Sequence, residues 1–271
     1  MSSLYEVLDE AIRGERPVAL AAIIEGEHVG AKLLVRPDEP ALGSLGQPDL
    51  DRVVARDALG ELEAGRTLVR HYGAEGQARE EAVAVFIESF APPPQMLIFG
   101  AVDFTAALAR VAKVLGYRVT VCDARPVFAT RQRFPMADEV VVDWPHRLLE
   151  KVGPQLGPRD AVCVLTHDPK FDVPAVIGAL KTRAGYIGAM GSRRTTDDRN
   201  RRLREEGVSD DELARILAPV GLDIGARTPE ETAVSICAEI IALHTGRQAP
   251  NLRNTAGPIH AGGSAVVPDG P

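Results

Sequence analysis

Apolar positions along this chain follow two periods in turn. Residues 4–13 carry Leu4, Val7, Leu8 and Ile12 at helical spacing behind a Ser3–Glu6 capping box, which predicts a helix ending at Gly14. Residues 18–24 are almost continuously apolar and predict a buried strand. A glycine-punctuated turn and a second strand over 31–35 follow. Residues 37–48 predict a loop with room for one short strand. Asp49 is placed to cap a helix over 50–64 whose apolar positions are Val53, Val54, Leu59 and Leu62, with Gly65 as its stop. Strands over 67–72 and 82–90, paired across a loop at 73–79, complete an α+β unit.

Pro92-Pro93-Pro94 can enter neither a ladder nor a helix interior, so it predicts a linker. Beyond it the alternation becomes regular. Strands are expected at 96–99, 118–122, 139–142, 161–165 and 185–188. Helices are expected at 103–115 (Ala107, Leu108, Val111 and Val114 on one face), 145–152, 171–180, 193–206 and 210–217. A last helix opens at Thr228-Pro229-Glu230-Glu231. Strands alternating with helices at this spacing predict parallel βαβ units. The fold class is therefore α/β: a Rossmann-like, doubly wound parallel sheet preceded by a smaller α+β domain. The expected boundaries are 1–91, a linker at 92–95, 96–247, and a disordered Gly/Pro/Ala/Ser-rich tail at 248–271.

Composition narrows the function. A net charge of −7 argues against nucleic acid as a partner. The three cysteines, Cys122, Cys163 and Cys237, lie in apolar segments without C-x-x-C spacing and read as buried thiols in a reducing compartment. No signal pattern opens the chain and no apolar run reaches membrane-spanning length, so a cytoplasmic protein without a membrane span is expected. With aromatics at 4%, the core must be built from Ala, Val, Leu and Ile.

In an open parallel sheet, ligands gather beyond the carboxyl ends of the strands. The first such end is Gly100-Ala101-Val102-Asp103. A dinucleotide fingerprint needs a second glycine where Val102 stands, and Asp103 adds negative charge at the helix start, where it can cap the helix itself. Asp123 ends the next strand roughly twenty positions on, the place of a ribose-binding carboxylate. It can equally cap the turn before Pro126. Arg125, Arg131 and Arg133 follow it. The strongest anion site is the turn Gly188-Ala189-Met190-Gly191-Ser192-Arg193-Arg194. Its glycines free the backbone, Ser192 caps or binds, and Arg193 and Arg194 bring charge to a helix start. His167 and Asp168 end the fourth strand and offer acid–base or polar contacts. The remaining histidines form no metal-ligand spacing, and neither a serine elbow nor a P-loop occurs.

These stretches resemble the XdhC/CoxI family: Leu115-Gly116-Tyr117-Arg118-Val119, Asp123-Ala124-Arg125-Pro126, Thr166-His167-Asp168 and the 188–194 turn. So does Pro219-Val220-Gly221-Leu222-Asp223-Ile224-Gly225-Ala226-Arg227-Thr228-Pro229-Glu230-Glu231-Thr232-Ala233. The resemblance implies a two-domain plan and a role in maturing molybdenum hydroxylases of the xanthine dehydrogenase or carbon monoxide dehydrogenase type. It further implies molybdenum cofactor (molybdopterin) as bound cargo, protected in its sulfurated form and delivered to the apoenzyme. The implied partners are the hydroxylase apoenzyme and a cysteine desulfurase. A homodimer is suggested by the apolar strands of the small first domain.

The departures are specific. The family's G-S-x-P-R-x-x-G-A turn is reduced here to Gly30-Ala31 after Glu25-Gly26-Glu27-His28-Val29. Its G-G-C-x-E segment becomes Leu45-Gly46-Gln47-Pro48-Asp49-Leu50-Asp51, without the cysteine, and its G-A-G-H becomes Gly100-Ala101-Val102-Asp103. The chain therefore reads as a divergent branch. Cofactor-binding candidates are Gly100, Asp103, Asp123, Arg125, His167, Asp168, Gly188, Gly191, Ser192, Arg193 and Arg194; no metal ligands and no catalytic residues are assigned. The leading expectation is a cofactor-handling chaperone acting by binding and handover. The alternatives are an NAD(P)-dependent oxidoreductase, disfavoured by Val102 and Asp103, and a ligand-free docking scaffold.

Overall fold

Helix α1 (Leu4–Arg13) begins on the expected capping box, Ser3 Oγ accepting from Glu6 N–H while the Glu6 carboxylate accepts from Ser3 N–H. The computed structural model describes residues 3–73, 76–77 and 82–256; residues 257–271 of the expected tail and most of the 73–79 loop lie outside them. The described chain packs as two units. The first is built from Met1–Pro92 with the described residues from Leu252 on, and the second from Pro93–Asn251.

In the first unit α1 is followed by β1 (Val18–Glu25), β2 (Lys32–Val35), β3 (Leu42–Ser44), α2 (Pro48–Ala64), β4 (Leu68–Tyr72) and β5 (Val83–Phe90). Among the described residues these strands form one antiparallel sheet in the order β3-β2-β1-β5-β4. The two-residue period of a strand divides its side chains between the faces. Ala19, Ala21, Ile23, Leu33, Val85 and Ile87 pack on α2, while Val18, Leu20, Leu34 and Phe90 pack toward α1. Two local expectations are corrected here. Gln47 rather than Asp49 stands at the N-cap of α2, without a side-chain capping bond, because Pro48 already supplies the first helical residue. Ile12 and Leu59 are exposed, their places in the core taken by Ala11 and Ala58.

The second unit runs β6 (Gln95–Phe99), α3 (Asp103–Val114), β7 (Arg118–Cys122), β8 (Glu139–Val141), α4 (Pro145–Val152), β9 (Ala161–Val164), α5 (Pro169–Leu180), β10 (Tyr186–Ala189), α6 (Arg193–Glu205), α7 (Asp210–Leu213), β11 (Ile216–Leu217) and α8 (Pro229–Thr245). Its strands are all parallel, in the order β11-β10-β9-β6-β7-β8. This arrangement follows the doubly wound plan of a dinucleotide-type sheet, with its switch point between β6 and β9. Both faces are covered, as a parallel sheet requires. Met96, Ile98, Val119, Val121, Cys163 and Tyr186 face the α3 and α8 side, and Leu97, Phe99, Val162, Val164 and Ile187 face the α4 and α5 side.

The helix expected at 210–217 is a correction. It stops at Leu213, and Ile216–Leu217 pairs with β10 as an edge strand, gaining a ladder and a buried Ile216 that a continued helix would forfeit. Val114 is likewise not on the buried face of α3; it is 86% exposed, and Ala109 and Ala112 complete that face. The three cysteines are buried, as the apolar segments around them predict. Among the described residues no helix is long and apolar enough to cross a membrane.

Candidate functional site

The carboxyl ends of the parallel strands divide into two halves of opposite character. On the β6–β7 side the space between Gly100, Asp123, Ala124, Pro145, Thr166 and Phe171 is closed to about 10 Å³. On the β9–β10 side a cavity of about 330 Å³ lies between Phe104, His167, Met190, Gly191, Ser192, Val220 and Thr232.

The closed half is filled by the protein's own polar contacts. Gly100 adopts φ +109°, and a Cβ there would lie 2.8 Å from Thr166 N, so this glycine permits close approach to the backbone beyond β9. The N–H groups of residues 100–102 are already used. Gly100 N–H donates to the Cys122 carbonyl at 2.9 Å, Ala101 N–H to Asp123 Oδ2 at 2.8 Å, and Val102 N–H to Thr105 Oγ1 at 3.4 Å. The buried Thr105 hydroxyl in turn donates to the Gly100 carbonyl. Val102 sits at φ −108°, an ordinary extended conformation, and its side chain packs against the core.

Asp123 is only 4% exposed. Its carboxylate accepts from Ala101 N–H, from Arg125 N–H at 2.9 Å, and from Arg125 Nε and Nη2 at 2.9 and 2.8 Å. Burial works to raise its pKa, but these hydrogen bonds and the Arg125 charge outweigh it and hold the carboxyl below its ordinary value. The Arg125 guanidinium also lies 4.5 Å from the Phe128 ring centre.

Asp103 does not cap α3, contrary to expectation. Its carboxylate is 90% exposed and lies 3.6 Å from Arg133 Nη2. Arg133 donates to the carbonyls of Ala101 and Phe128, and Arg131 to that of Ala137. The arginines after Asp123 are thus all engaged with protein acceptors.

The open half is built on the β10–α6 turn. Gly188 lies within β10 and belongs to the sheet; a Cβ there would meet Tyr186 Cε1 and Val220 Cγ2 at 2.6 Å each. Gly191, at φ +155°, and Ser192 line the cavity. The Ser192 hydroxyl caps α6, accepting from Thr195 N–H at 3.1 Å. The N–H groups of Arg193 and Arg194 open the helix, where no intrahelical acceptor exists. Both arginine side chains are exposed, and among the described residues neither has an ion pair. His167 lines the same cavity. Asp168 does not: its Oδ1 caps α5 by accepting from Lys170 N–H at 3.0 Å.

The far wall comes from the 219–233 stretch. Glu239 Oε2 accepts from Tyr186 Oη at 2.7 Å and from Gly221 N–H at 2.9 Å, and Ser235 Oγ donates to the Leu222 carbonyl at 2.6 Å. These contacts fasten the loop that carries Val220 to α8. Phe104, Val220 and Thr232 escape a sequence-based search for site residues because an apolar or lone hydroxyl side chain has no chemical signature in sequence. In the first unit, the His28 ring packs against Gly46, a Cβ on which would lie 2.4 Å from His28 Cδ2. The two segments that depart from the family's first-domain motifs therefore lie side by side. Among the described residues no cluster of three or more His, Cys, Asp or Glu is arranged to hold a metal.

Comparison with known proteins accords with this architecture. The family profile described as the XdhC Rossmann domain matches residues 96–240, and that described as the XdhC and CoxI family matches residues 11–73. The chain is 35% identical over 162 residues to a probable xanthine dehydrogenase subunit of Bacillus subtilis (strain 168), covering 60% of this chain and 46% of that protein. It is 28% identical over 158 residues to the molybdenum cofactor insertion chaperone PaoD of Escherichia coli (strain K12), covering 58% and 42%. The chain thus spans less than half the length of these curated relatives. A crystal structure of a xanthine dehydrogenase from Bacillus halodurans shares the fold, with a TM-score of 0.53 at 24% identity over 93% of this chain and 98% of that one. With the first of these profiles alone spanning more than half of its length, this chain belongs to the XdhC and CoxI family.

Proposed function

We propose that this protein is a maturation factor for a molybdenum hydroxylase, binding molybdenum cofactor as cargo and handing it to the apoenzyme. The observation that carries the reading is the asymmetry of the cleft. The half beside β9 and β10 is open and ends on a helix start followed by two arginines with no ion pair among the described residues, while the other half is filled. Molybdopterin carries a terminal phosphate. The free N–H groups of Arg193 and Arg194 and the α6 dipole suit that phosphate, and the two guanidinium groups add charge-assisted contacts. Ser192, His167 and Thr232 offer polar contacts along the wall. The names of the Bacillus subtilis and Escherichia coli relatives point to the same client class.

The sheet order favours a second reading, an NAD(P)-dependent oxidoreductase. Two observations speak against it: the Asp123 carboxylate that would take ribose hydroxyls accepts from Arg125 and Ala101, and the N–H groups of residues 100–102 already have protein acceptors. The test titrates the purified protein with molybdopterin, with NADH and NADPH, and with an apo-hydroxylase. Binding of molybdopterin and the apo-hydroxylase supports the proposal. Micromolar stabilisation by NADH or NADPH with no molybdopterin binding replaces it with the oxidoreductase reading.

A further inference from the structure

Beneath the β10–α6 turn lies a buried ion pair that does not line the cavity. Asp172 on α5 and Arg199 on α6 are both buried, Arg199 to 2% exposure. Arg199 Nε lies 2.9 Å from each oxygen of the Asp172 carboxylate, and its Nη2 donates to the Met190 carbonyl. Met190 N–H donates to the Val164 carbonyl at 2.8 Å, so its backbone is held from β9 on one side and from α6 on the other. Gly191 follows at once. A Cβ there would lie 3.1 Å from Thr195 Cβ and 3.4 Å from Arg199 Nη2, so the turn rests directly on these two side chains.

The arrangement is costly. Arg199 Nη1 and Thr196 Oγ1 are buried without a hydrogen-bond partner among the described residues, and a polar group left buried and unsatisfied destabilises the fold. A buried ion pair is also often no more stabilising than a well-packed apolar pair of similar volume. Stability alone therefore gives little reason for a guanidinium here. A guanidinium does what an apolar side chain cannot: it spans a carboxylate on α5 and a carbonyl in the turn with fixed fork geometry.

We infer that Asp172 and Arg199 are positioning residues that set the backbone of residues 190–192, and with it the phosphate-binding start of α6. The inference rests on reading that turn as an anion site. Preorganised donors bind an anion without first ordering a loop, and so avoid the entropy cost of fixing each of its residues. Neither residue touches the ligand; both act through the Met190 carbonyl and the seat of Gly191.

The test compares Arg199→Lys, which keeps the charge but loses the fork, with the paired replacement Asp172→Leu plus Arg199→Met, which removes both charges together. Arg215→Met is the control, because Arg215 likewise donates to carbonyls, those of Leu180 and Thr182, away from the cavity. Amide hydrogen exchange at Met190, Thr195 and Thr196, the hydrogen-bonded amides on either side of the free N–H groups, is measured on each full-length protein, together with calorimetric titration of inorganic pyrophosphate. Both Arg199 variants are expected to exchange at least tenfold faster at these amides and to bind pyrophosphate at least tenfold more weakly, with Arg215→Met at wild-type values. Wild-type exchange and affinity in both variants would overturn the inference, as would equal acceleration in Arg215→Met, which marks general destabilisation. If the wild-type protein binds no pyrophosphate, the anion-site reading fails, and the exchange rates alone decide whether the pair positions the turn.

Discussion

Gly100→Ala tests whether the first glycine serves the fold or a ligand. The wild-type residue sits at φ +109°, and an added Cβ would lie 2.8 Å from Thr166 N and 3.2 Å from both Leu165 C and Thr166 Cα. All three obstacles are backbone, at the end of the neighbouring strand, so no rotamer change relieves the clash. Two costs combine: about 1–3 kcal/mol for a side chain in that region of φ, and about 1–3 kcal/mol for overpacking. For a unit of this size each kcal/mol lowers Tm by roughly 2–4 °C, so the variant should melt about 5–20 °C lower. Calorimetry is the suitable assay, because the two units can unfold in separate transitions. The transition of the second unit should move while that of the first stays. Pyrophosphate affinity below the transition should stay at the wild-type value, since the phosphate site is assigned to the other half of the cleft. An unchanged Tm with lost pyrophosphate binding would falsify the reasoning, because it is the signature of a glycine kept for ligand approach.

Three other outcomes are expected. Glu61, 1% exposed, accepts from Arg66 Nε at 2.7 Å and from Arg70 Nη2, so Glu61→Ala should cost about 1–3 kcal/mol; an unchanged urea midpoint would contradict this. Burial pushes the Cys122 thiol up to about 12 and the Cys237 thiol up to about 11, and raises that of Cys163 as well. Native protein at neutral pH should therefore resist iodoacetamide until unfolded, and one fast-reacting cysteine would refute that account. The Asp123 carboxyl is held below its ordinary value in the folded state, so its contribution is present above the unfolded pKa and is lost as pH falls through the folded one. The stability gap between wild type and Asp123→Asn should thus be constant near neutrality and close below about pH 4; a gap that closes between about pH 6 and 8 would show that another group, titrating in the histidine range, is responsible.

What sequence reveals here follows the range of the forces involved. Ser3–Glu6 and Thr228–Glu231 caps are local hydrogen bonds within one helical turn, and they form as read. The alternation of strand and helix is local too, and it leads to the parallel sheet. Ile216–Leu217 is different, because a two-residue strand exists only through its partner β10 and leaves no period of its own. Asp123 shows the same limit: its position suggests a ribose ligand, but which donors surround it depends on Ala101, far back along the chain, and on how Arg125 turns. Arg199 is concealed in a helix whose sequence is charged almost throughout. A faint signal exists, since Thr196, Arg199 and Leu203 are the buried positions of α6 and recur at helical spacing. Recognising it requires knowing that a charged residue can belong to a buried face.

The central claim, that cargo binds at the start of α6 through Arg193 and Arg194, is tested most directly by measuring molybdopterin affinity in the wild type and in Arg193→Ala plus Arg194→Ala. Removing two charge-assisted contacts should weaken binding at least about tenfold, equivalent to about 1.4 kcal/mol, and should reduce transfer of cofactor to the apo-hydroxylase in parallel. Equal affinity and equal transfer in the two proteins would contradict the claim, because cargo would then be held without these arginines; no molybdopterin binding by either protein, with maturation of the hydroxylase intact, would leave the chain a docking scaffold.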